Sequence, residues 1–251
     1  MFYPADPREL EQTVRGFLGA VQTRDGGLPK AIVAPHAGYI YSGPVAASAY
    51  ARLASRARDI TRVLLLGPSH RAAFDGLAYS NAEAFRTPLG PVRVDRDAYT
   101  LVQDLPQVRL LEAPFEGEHC LEVQLPFLQT ILADFSIVPF LVGDAGEAEV
   151  AEVIERLWGG EETLIVISSD LSHYLDYESA RAIDAKTSRA IEELRPEAIG
   201  YRQACGRNPL IGMLHEARVH GLRARTLDLR SSGDTAGPRN QVVGYGAYSF
   251  S

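Results

Sequence analysis

Short apolar runs alternate along this chain with segments whose apolar residues recur at helical spacing. Strands are predicted over residues 30–34, 62–66, 92–94, 136–142, 163–167, 223–229 and 242–250. Helices are predicted over residues 44–54, 96–103, 119–132, 147–158, 178–194 and 209–220. An earlier helix should begin at Asp6, because the sequence Asp6-Pro7-Arg8-Glu9 supplies an N-cap, a first-turn proline and a glutamate at the third helical position.

The order of these elements predicts the fold class. Strands that are apolar throughout, and that are separated by helices, indicate a mostly parallel sheet with helices on both faces. The last two strands have no helix between them, which indicates a mixed sheet. No internal repeat, low-complexity tract or long linker interrupts the sequence. We therefore predict an α/β fold, a three-layer α/β/α sandwich, formed as a single domain by residues 1–251.

Composition and charge exclude several classes of protein. Lysine and arginine number 25 against 32 aspartates and glutamates, which gives a formal net charge of −7. This balance argues against general binding to nucleic acid or to anionic membranes, which needs clustered positive charge. No apolar run approaches the roughly 18 residues that span a bilayer. Because the N-terminus also shows no signal-peptide pattern, a cytoplasmic protein is expected.

Histidines follow three of the predicted strands. His36 comes after residues 30–34, His70 after 62–66, and Asp170 and His173 after 163–167. In open α/β sheets, ligands bind beyond the carboxyl ends of the strands, where the loops converge. A lone histidine at such a place is more often a hydrogen-bonded turn residue. Together, the three histidines and Asp170 favour a functional site.

Two further segments are candidates for the same site. His119 and Glu122 lie at i,i+3 spacing near a predicted helix start, where they either orient a ligand or form an exposed acidic first turn. Cys205 precedes another helix and is followed closely by Arg207. Both features would lower the pKa of the thiol, although a lone cysteine is more often buried and inert.

Other residues have weaker signals. Tyr39, Tyr41 and Tyr174 either line a pocket or belong to the core, and His215 and His220 are interpreted as surface or packing residues. The sequence has no Gly-x-Ser-x-Gly elbow, no Walker A loop and no Gly-x-Gly-x-x-Gly after the first strand. A serine hydrolase of that type and a glycine-rich phosphate or dinucleotide site are therefore unsupported.

Several motifs together resemble the Memo family, which in prokaryotes is called AmmeMemoRadiSam system protein B. They are FYPA at residues 2–5, PHAGYIYSG at 35–43, GPSH at 67–70, EH at 118–119, EVQLP at 122–126, SSDLSH at 168–173 and CGR at 205–207. The resemblance extends in order from residue 2 to the last strand. Its most specific part is the combination of the PHAGY and CGR segments.

This resemblance implies a fold similar to that of the class III extradiol dioxygenases, which are ring-cleaving non-haem iron enzymes. It implies that His36, His70 and Cys205 bind a metal, that Asp170 and His173 occupy neighbouring acid–base positions, and that His119 is a further pocket histidine. The prokaryotic family name implies radical-SAM and AMMECR-type partner proteins. Animal relatives are described as binding iron or copper and phosphotyrosine peptides.

The sequence departs from the ring-cleaving enzymes at the metal site. Those enzymes complete the site with a carboxylate, whereas Cys205 stands at the corresponding position here. A thiolate is softer and oxidisable, and it shifts the preference toward copper or zinc. Ring cleavage is therefore not transferred with the fold. A smaller departure is Cys120, where serine is expected, and we interpret it as a filling residue.

Three functions follow as expectations. The first is a metal-dependent, oxygenase-like redox enzyme holding iron(II), or else copper or zinc. In it His173 acts as general acid or base, Asp170 sets its tautomer, His119 positions substrate or oxygen, and Tyr39 contacts a small-molecule substrate. The second is a non-catalytic module that binds a peptide or protein, with Arg207 receiving an anionic group. The third is a zinc-dependent hydrolase.

Overall fold

Residues 2–22 and 28–251 are described by a computed structural model of the chain. Its α-helices are α1 (Pro7–Ala20), α2 (Tyr39–Tyr50), α3 (Leu125–Ile131), α4 (Glu147–Arg156), α5 (Tyr177–Glu192) and α6 (Arg207–Val219). Its strands are β1 (Ala31–Ala34), β2 (Arg62–Pro68), β3 (Leu77–Tyr79), β4 (Ala84–Thr87), β5 (Gly90–Val94), β6 (Val108–Leu110), β7 (Ser136–Val142), β8 (Thr163–Ser168), β9 (His173–Leu175), β10 (Ala224–Ser231) and β11 (Val242–Phe250). Within these ranges, no helix has the length and apolar character needed to cross a membrane.

The strands form one mixed sheet whose centre is parallel. Strands β1, β8, β2 and β7 lie side by side in that order and run in the same direction. On one side, β11 pairs antiparallel with β1, and β10 pairs antiparallel with β11. On the other side, β3 pairs antiparallel with β7. The predicted sheet, mostly parallel and mixed at its end, is confirmed.

Helices cover both faces of this sheet. Successive residues of a strand point to opposite faces, so Ile32 packs with the core residues of α1, α2 and α3, whereas Val33 packs with those of α4, α5 and α6. Leu65 and Leu64 divide in the same way on β2. The three-layer α/β/α sandwich predicted from the sequence is therefore confirmed.

Three predicted helices differ from those observed. The one predicted over 96–103 is only a 3₁₀ segment, at Asp97–Leu101. The helix predicted over 44–54 begins earlier, at Tyr39, so that Pro44 lies inside α2 and not at its start. There, Pro44 costs the backbone hydrogen bond to the residue four positions earlier. The predicted helix over 119–132 is a 3₁₀ turn at Glu122–Gln124 followed by α3. His119 consequently lies in a loop.

Candidate metal centre

The carboxyl ends of three adjacent parallel strands bring the candidate residues together. His36 follows β1 and His70 follows β2, while Asp170 follows β8, which lies between them. The rings of His36 and His70 stand edge to face, with their centroids 5.2 Å apart. The loop before α6 brings Cys205 to the same place, with its Sγ 3.3 Å from Nε2 of His36.

His36, His70 and Cys205 form a compact set of metal donors. One ligand atom from each of the three side chains lies within 4.8 Å of the other two. Two imidazoles and a thiolate suit iron, copper or zinc better than magnesium or calcium, which prefer oxygen ligands. The donor set therefore fits a transition metal.

A buried hydroxyl group fixes the ring of His36. The Ser168 hydroxyl donates to the carbonyl of Cys120 at 2.6 Å, and its oxygen accepts from the amide of Gln124 at 2.8 Å. Since that hydroxyl proton is already used, the contact of 2.9 Å between Ser168 Oγ and His36 Nδ1 is best satisfied when Nδ1 carries the hydrogen. The lone pair on Nε2 then points toward Cys205, as metal binding requires.

A carboxylate holds the ring of His70 in place. Glu118 accepts a hydrogen bond from the backbone N–H of His70 at 2.7 Å and contacts Nδ1 of its ring at 3.1 Å. This hydrogen bond raises the pKa of His70. Burial raises the pKa of Glu118, but its hydrogen bonds with His70 and Cys120 outweigh burial and lower that pKa to about 2. Glu118 is therefore an ionised acceptor that leaves Nε2 of His70 free.

Asp170 connects two of the candidate ligands through the backbone. Its Oδ1 accepts a hydrogen bond from the backbone N–H of His36 at 2.8 Å, and its own N–H donates to Sγ of Cys205 at 3.3 Å. It is 4% exposed, and its Oδ2 lies 4.0 Å from Nε2 of His36. Asp170 thus positions His36 and Cys205 relative to each other.

The group that sets the tautomer of His173 is not the predicted one. Nδ1 of His173 lies 2.8 Å from the carbonyl oxygen of Leu171, which can only accept. Nδ1 therefore carries a hydrogen, and Nε2 of the neutral ring is an acceptor. A backbone carbonyl, rather than Asp170, holds this ring.

The environment of Cys205 also differs from the expectation. Burial raises the pKa of the thiol, and the negative charge of Asp170 raises it further. Arg207 does not offset this effect, because its Nε donates to the carbonyl of Ile199 at 2.6 Å and its guanidinium lies over the ring of Tyr201 at 4.3 Å. The surroundings of Cys205 thus raise the thiol pKa, and the predicted lowering is wrong. A bound cation would favour the thiolate directly.

A cleft of about 1100 Å³ opens above these groups. His36, His70, Asp170, His173 and Cys205 contribute to its lining. Its walls are rich in aromatic side chains, which are those of Phe2, Tyr41, Tyr174, Tyr201 and Tyr245. Arg202 supplies a positive charge. This lining suits an organic ligand with apolar surface and an anionic group.

Three predicted site residues lie outside the described lining of this cleft. Tyr39 is 2% exposed, and its hydroxyl donates to the carbonyl of Val123 at 2.7 Å inside the core. The ring of His119 contacts that of Phe2, with centroids 4.7 Å apart, and its Nδ1 is 2.8 Å from Oε1 of Glu122. Arg207 is directed to Ile199 and Tyr201, as described above.

Sequence reasoning missed several residues that position the site or line the cleft. Ser168 and Glu118 stand within the family motifs, yet only the folded structure shows that each one holds a histidine ring. Tyr201 and Arg202 follow no strand and form no motif with the histidines. No sequence signal assigns them to the cleft.

A second donor set shares His70 with the first. His70, Glu118 and Cys120 also have ligand atoms within 4.8 Å of one another. However, Cys120 is 2% exposed and its thiol donates to the carbonyl of Pro68 at 3.1 Å. Glu118 already accepts from the backbone N–H groups of His119 and Cys120. The set with Cys205 is the better candidate, since its donor atoms face the cleft.

Comparison with known proteins gives the same family over nearly the whole chain. The family model described as Memo-like protein matches residues 1–249. A MEMO1 family protein of Aquifex aeolicus is 36% identical over 256 residues, which cover 97% of this chain and 94% of that protein. One from Aeropyrum pernix is 38% identical over 272 residues, covering 98% and 95% of the two chains. One from Archaeoglobus fulgidus is 34% identical over 264 residues, covering 99% and 96%.

Proposed function

Because this chain belongs to the Memo family, we propose that it is a metal-binding, oxygenase-like redox enzyme. Its metal ligands in this proposal are His36, His70 and Cys205. The observation that carries the proposal is the convergence of His36 Nε2 on Cys205 Sγ at the floor of a cleft, with Nδ1 of each histidine held by a separate partner. That arrangement, in which the outer nitrogen is engaged and the inner one is free, is typical of metal-binding histidines.

Iron(II) is the metal proposed first, with copper and zinc as alternatives. Iron supplies, when bound, the one-electron chemistry that reactions with oxygen require. The thiolate of Cys205 favours softer metals than a carboxylate would. The substrate class proposed is a small organic molecule or a modified macromolecule, and the aromatic walls and Arg202 support one with apolar surface and negative charge.

His173 is the proposed general acid or base. It lines the cleft, and its Nδ1 is engaged by the carbonyl of Leu171, so that Nε2 is available to take a proton. Roles for Tyr39, His119 and Arg207 in binding substrate stay predictions. The same holds for a cytoplasmic location and for radical-SAM and AMMECR-type partner proteins.

The test compares His36→Ala and His173→Ala with the unchanged chain. His36→Ala should lose stoichiometric metal while its circular dichroism stays the same. His173→Ala should keep its metal and lose metal-dependent oxygen uptake in a screen of small aromatic and anionic substrates. His215→Ala serves as a control, because His215 pairs with Glu147 on the outer helices. Unchanged metal content in His36→Ala would refute the ligand assignment.

Two alternatives give different outcomes in the same experiments. A zinc-dependent hydrolase would show metal-dependent turnover without oxygen uptake. A non-catalytic binding module would take up no iron, copper or zinc that depends on His36, yet bind an anionic peptide. The sequence assigns the anionic group in that module to Arg207, whereas Arg202 is the arginine within the described lining of the cleft. Loss of peptide binding in Arg202→Ala would identify the cleft as the binding surface, and loss in Arg207→Ala would support the role predicted for Arg207 from the sequence.

A further inference from the structure

A second cluster of metal-binding side chains lies where α4 packs against the end of α6. Glu216 and His220 stand four residues apart, so they share one face of α6 and its C-cap. Glu155 faces them from α4. Cys205 precedes the other end of α6, and a 13-residue helix is about 20 Å long. This cluster is therefore separate from the candidate metal centre.

The spacing of the three side chains is close to that of a zinc site. Nε2 of His220 lies 2.7 Å from Oε2 of Glu155 and 3.5 Å from Oε2 of Glu216. All three ligand atoms lie within 4.8 Å of one another. Zinc bonds of about 2.0–2.1 Å place tetrahedral ligands about 3.3 Å apart. Small movements of the exposed Glu155 side chain would suffice to reach this geometry.

Glu216 provides an independent reason to expect a ligand. It is 4% exposed, and its Oε2 is a buried atom without a hydrogen-bond partner within the described ranges. A buried carboxylate oxygen in this condition is costly and is usually paired or bound to a metal. Apart from His220, whose Nε2 stands 3.5 Å from this oxygen, the neighbouring cations have other partners: His215 pairs with Glu147, and Arg156 with Asp104 and Glu152.

The imidazole of His220 is already held in place. Its ring stacks on Trp158 with centroids 3.8 Å apart and planes 8° from parallel. It also caps the C-terminal end of α6, where the helix dipole favours a positive charge. A cation bound at Nε2 would benefit from both this fixed orientation and this field.

We propose that Glu155, Glu216 and His220 form a second divalent-metal site, whose chemistry of one imidazole and two carboxylates best suits Zn²⁺. Water completes the coordination on the exposed side. The ion bridges α4 and the C-terminal end of α6. Its role there is structural, and it takes part in no redox step.

The position of the site provides a direct probe. Trp158 is the one tryptophan of the chain, and it stacks on the proposed ligand His220. Titration of the full chain with Zn²⁺ alone should give a saturable change in tryptophan fluorescence. Glu216→Gln keeps the stacked ring but removes a ligand, so it should weaken this response by at least about 10-fold in affinity. His220→Gln should abolish it.

Two control variants separate this site from other zinc sites. Cys205→Ala, which removes a ligand of the candidate metal centre, should keep the tryptophan response. His215→Gln removes a neighbouring histidine that pairs with a single carboxylate, and it should keep the response too. A response of normal affinity in Glu216→Gln, or none in the unchanged chain, would overturn the proposal. Circular dichroism of each variant reports whether it is folded.

Discussion

The two histidines of the candidate metal centre are held by partners of different charge. Burial lowers the pKa of His36, and the nearby charge of Asp170 offsets this only in part. Hydrogen bonding to the ionised Glu118 raises the pKa of His70. The surroundings of His36 thus favour its neutral form, whereas His70 keeps its proton to higher pH. The hydroxyl of Ser168 is the group that keeps the neutral His36 ring in the form that can bind a metal.

Replacing Ser168 should therefore weaken metal binding without unfolding the protein. Ser168→Ala removes the acceptor at His36 Nδ1, together with the hydrogen bond that Ser168 donates to Cys120 and the one that it accepts from Gln124. Loss of such an outer partner typically costs 10–100-fold in metal affinity, and we expect a loss of about that size. Equilibrium dialysis against iron(II) under anaerobic conditions measures it.

The matched control is Ser172→Ala. Ser172 is another fully buried serine, four residues further along the chain, and its hydroxyl forms no described hydrogen bond to either histidine ligand. Its removal should leave the metal affinity within a factor of about two. Equal losses in the two variants would mean that Ser168 acts through general packing instead of through His36.

Single-residue roles were predictable only in part from the sequence. Placement of His36 and His70 follows from the strands that precede them, because the ends of parallel strands meet at one edge. The directions of Tyr39 and Arg207 do not follow, since they depend on which neighbours fill the space around them. Tyr39 begins α2 and points into the core. The guanidinium of Arg207 contacts the carbonyl of Ile199 and the ring of Tyr201, and Arg207 is not part of the described lining of the cleft.

At the scale of elements, the start of α6 determines where Cys205 lies. Gly206 is packed so closely against the end of β8 that a Cβ atom there would lie 2.6 Å from Cβ of Ser169 and 2.7 Å from the carbonyl oxygen of Ser168. Both distances are too short, and backbone is one of the groups in the way. Glycine at this position therefore allows the Cys205 loop to approach β8.

Gly206→Ala should displace this loop and disturb the metal centre. We expect a loss of about 1–3 kcal/mol in the free energy of unfolding, as for other overpacked sites, together with reduced metal content. Urea denaturation and metal analysis measure the two effects. The control is Gly16→Ala in α1, where an added Cβ meets nothing within 4 Å. It should be neutral or stabilising by up to about 1 kcal/mol. Full metal content in Gly206→Ala would contradict this account of the loop.

Most of the long elements were predictable, and the three-residue strands were not. Strand β7 spans Ser136–Val142, as predicted, because seven residues carry a clear pattern. Strands β3, β6 and β9 have three residues each, too few to show a period. The loop at His119 was predicted as a helix because the apolar spacing of α3 continues upstream. In the structure, the backbone N–H groups of His119 and Cys120 donate to the side chain of Glu118, and this holds the segment as a loop.

At the scale of the whole molecule, the parallel centre of the sheet creates the candidate metal centre. Strands β1, β8 and β2 are neighbours in space although β8 lies about a hundred residues further along the chain than β2. Alternation of apolar strands and helices predicts such a sheet, but not the order of its strands. The cluster at Glu155, Glu216 and His220 depends on how α4 packs against α6. The sequence therefore shows only scattered surface residues there.

The central claim is that Cys205, and not Cys120, completes a metal site with His70. Both donor sets contain His70, so the two cysteines discriminate between them. The direct measurement is the metal content per chain of Cys205→Ala and Cys120→Ala, each purified anaerobically beside the unchanged protein. We expect Cys205→Ala to lose about one equivalent of metal and Cys120→Ala to retain it. Retention in Cys205→Ala with loss in Cys120→Ala would contradict the account and move the metal to Glu118 and Cys120.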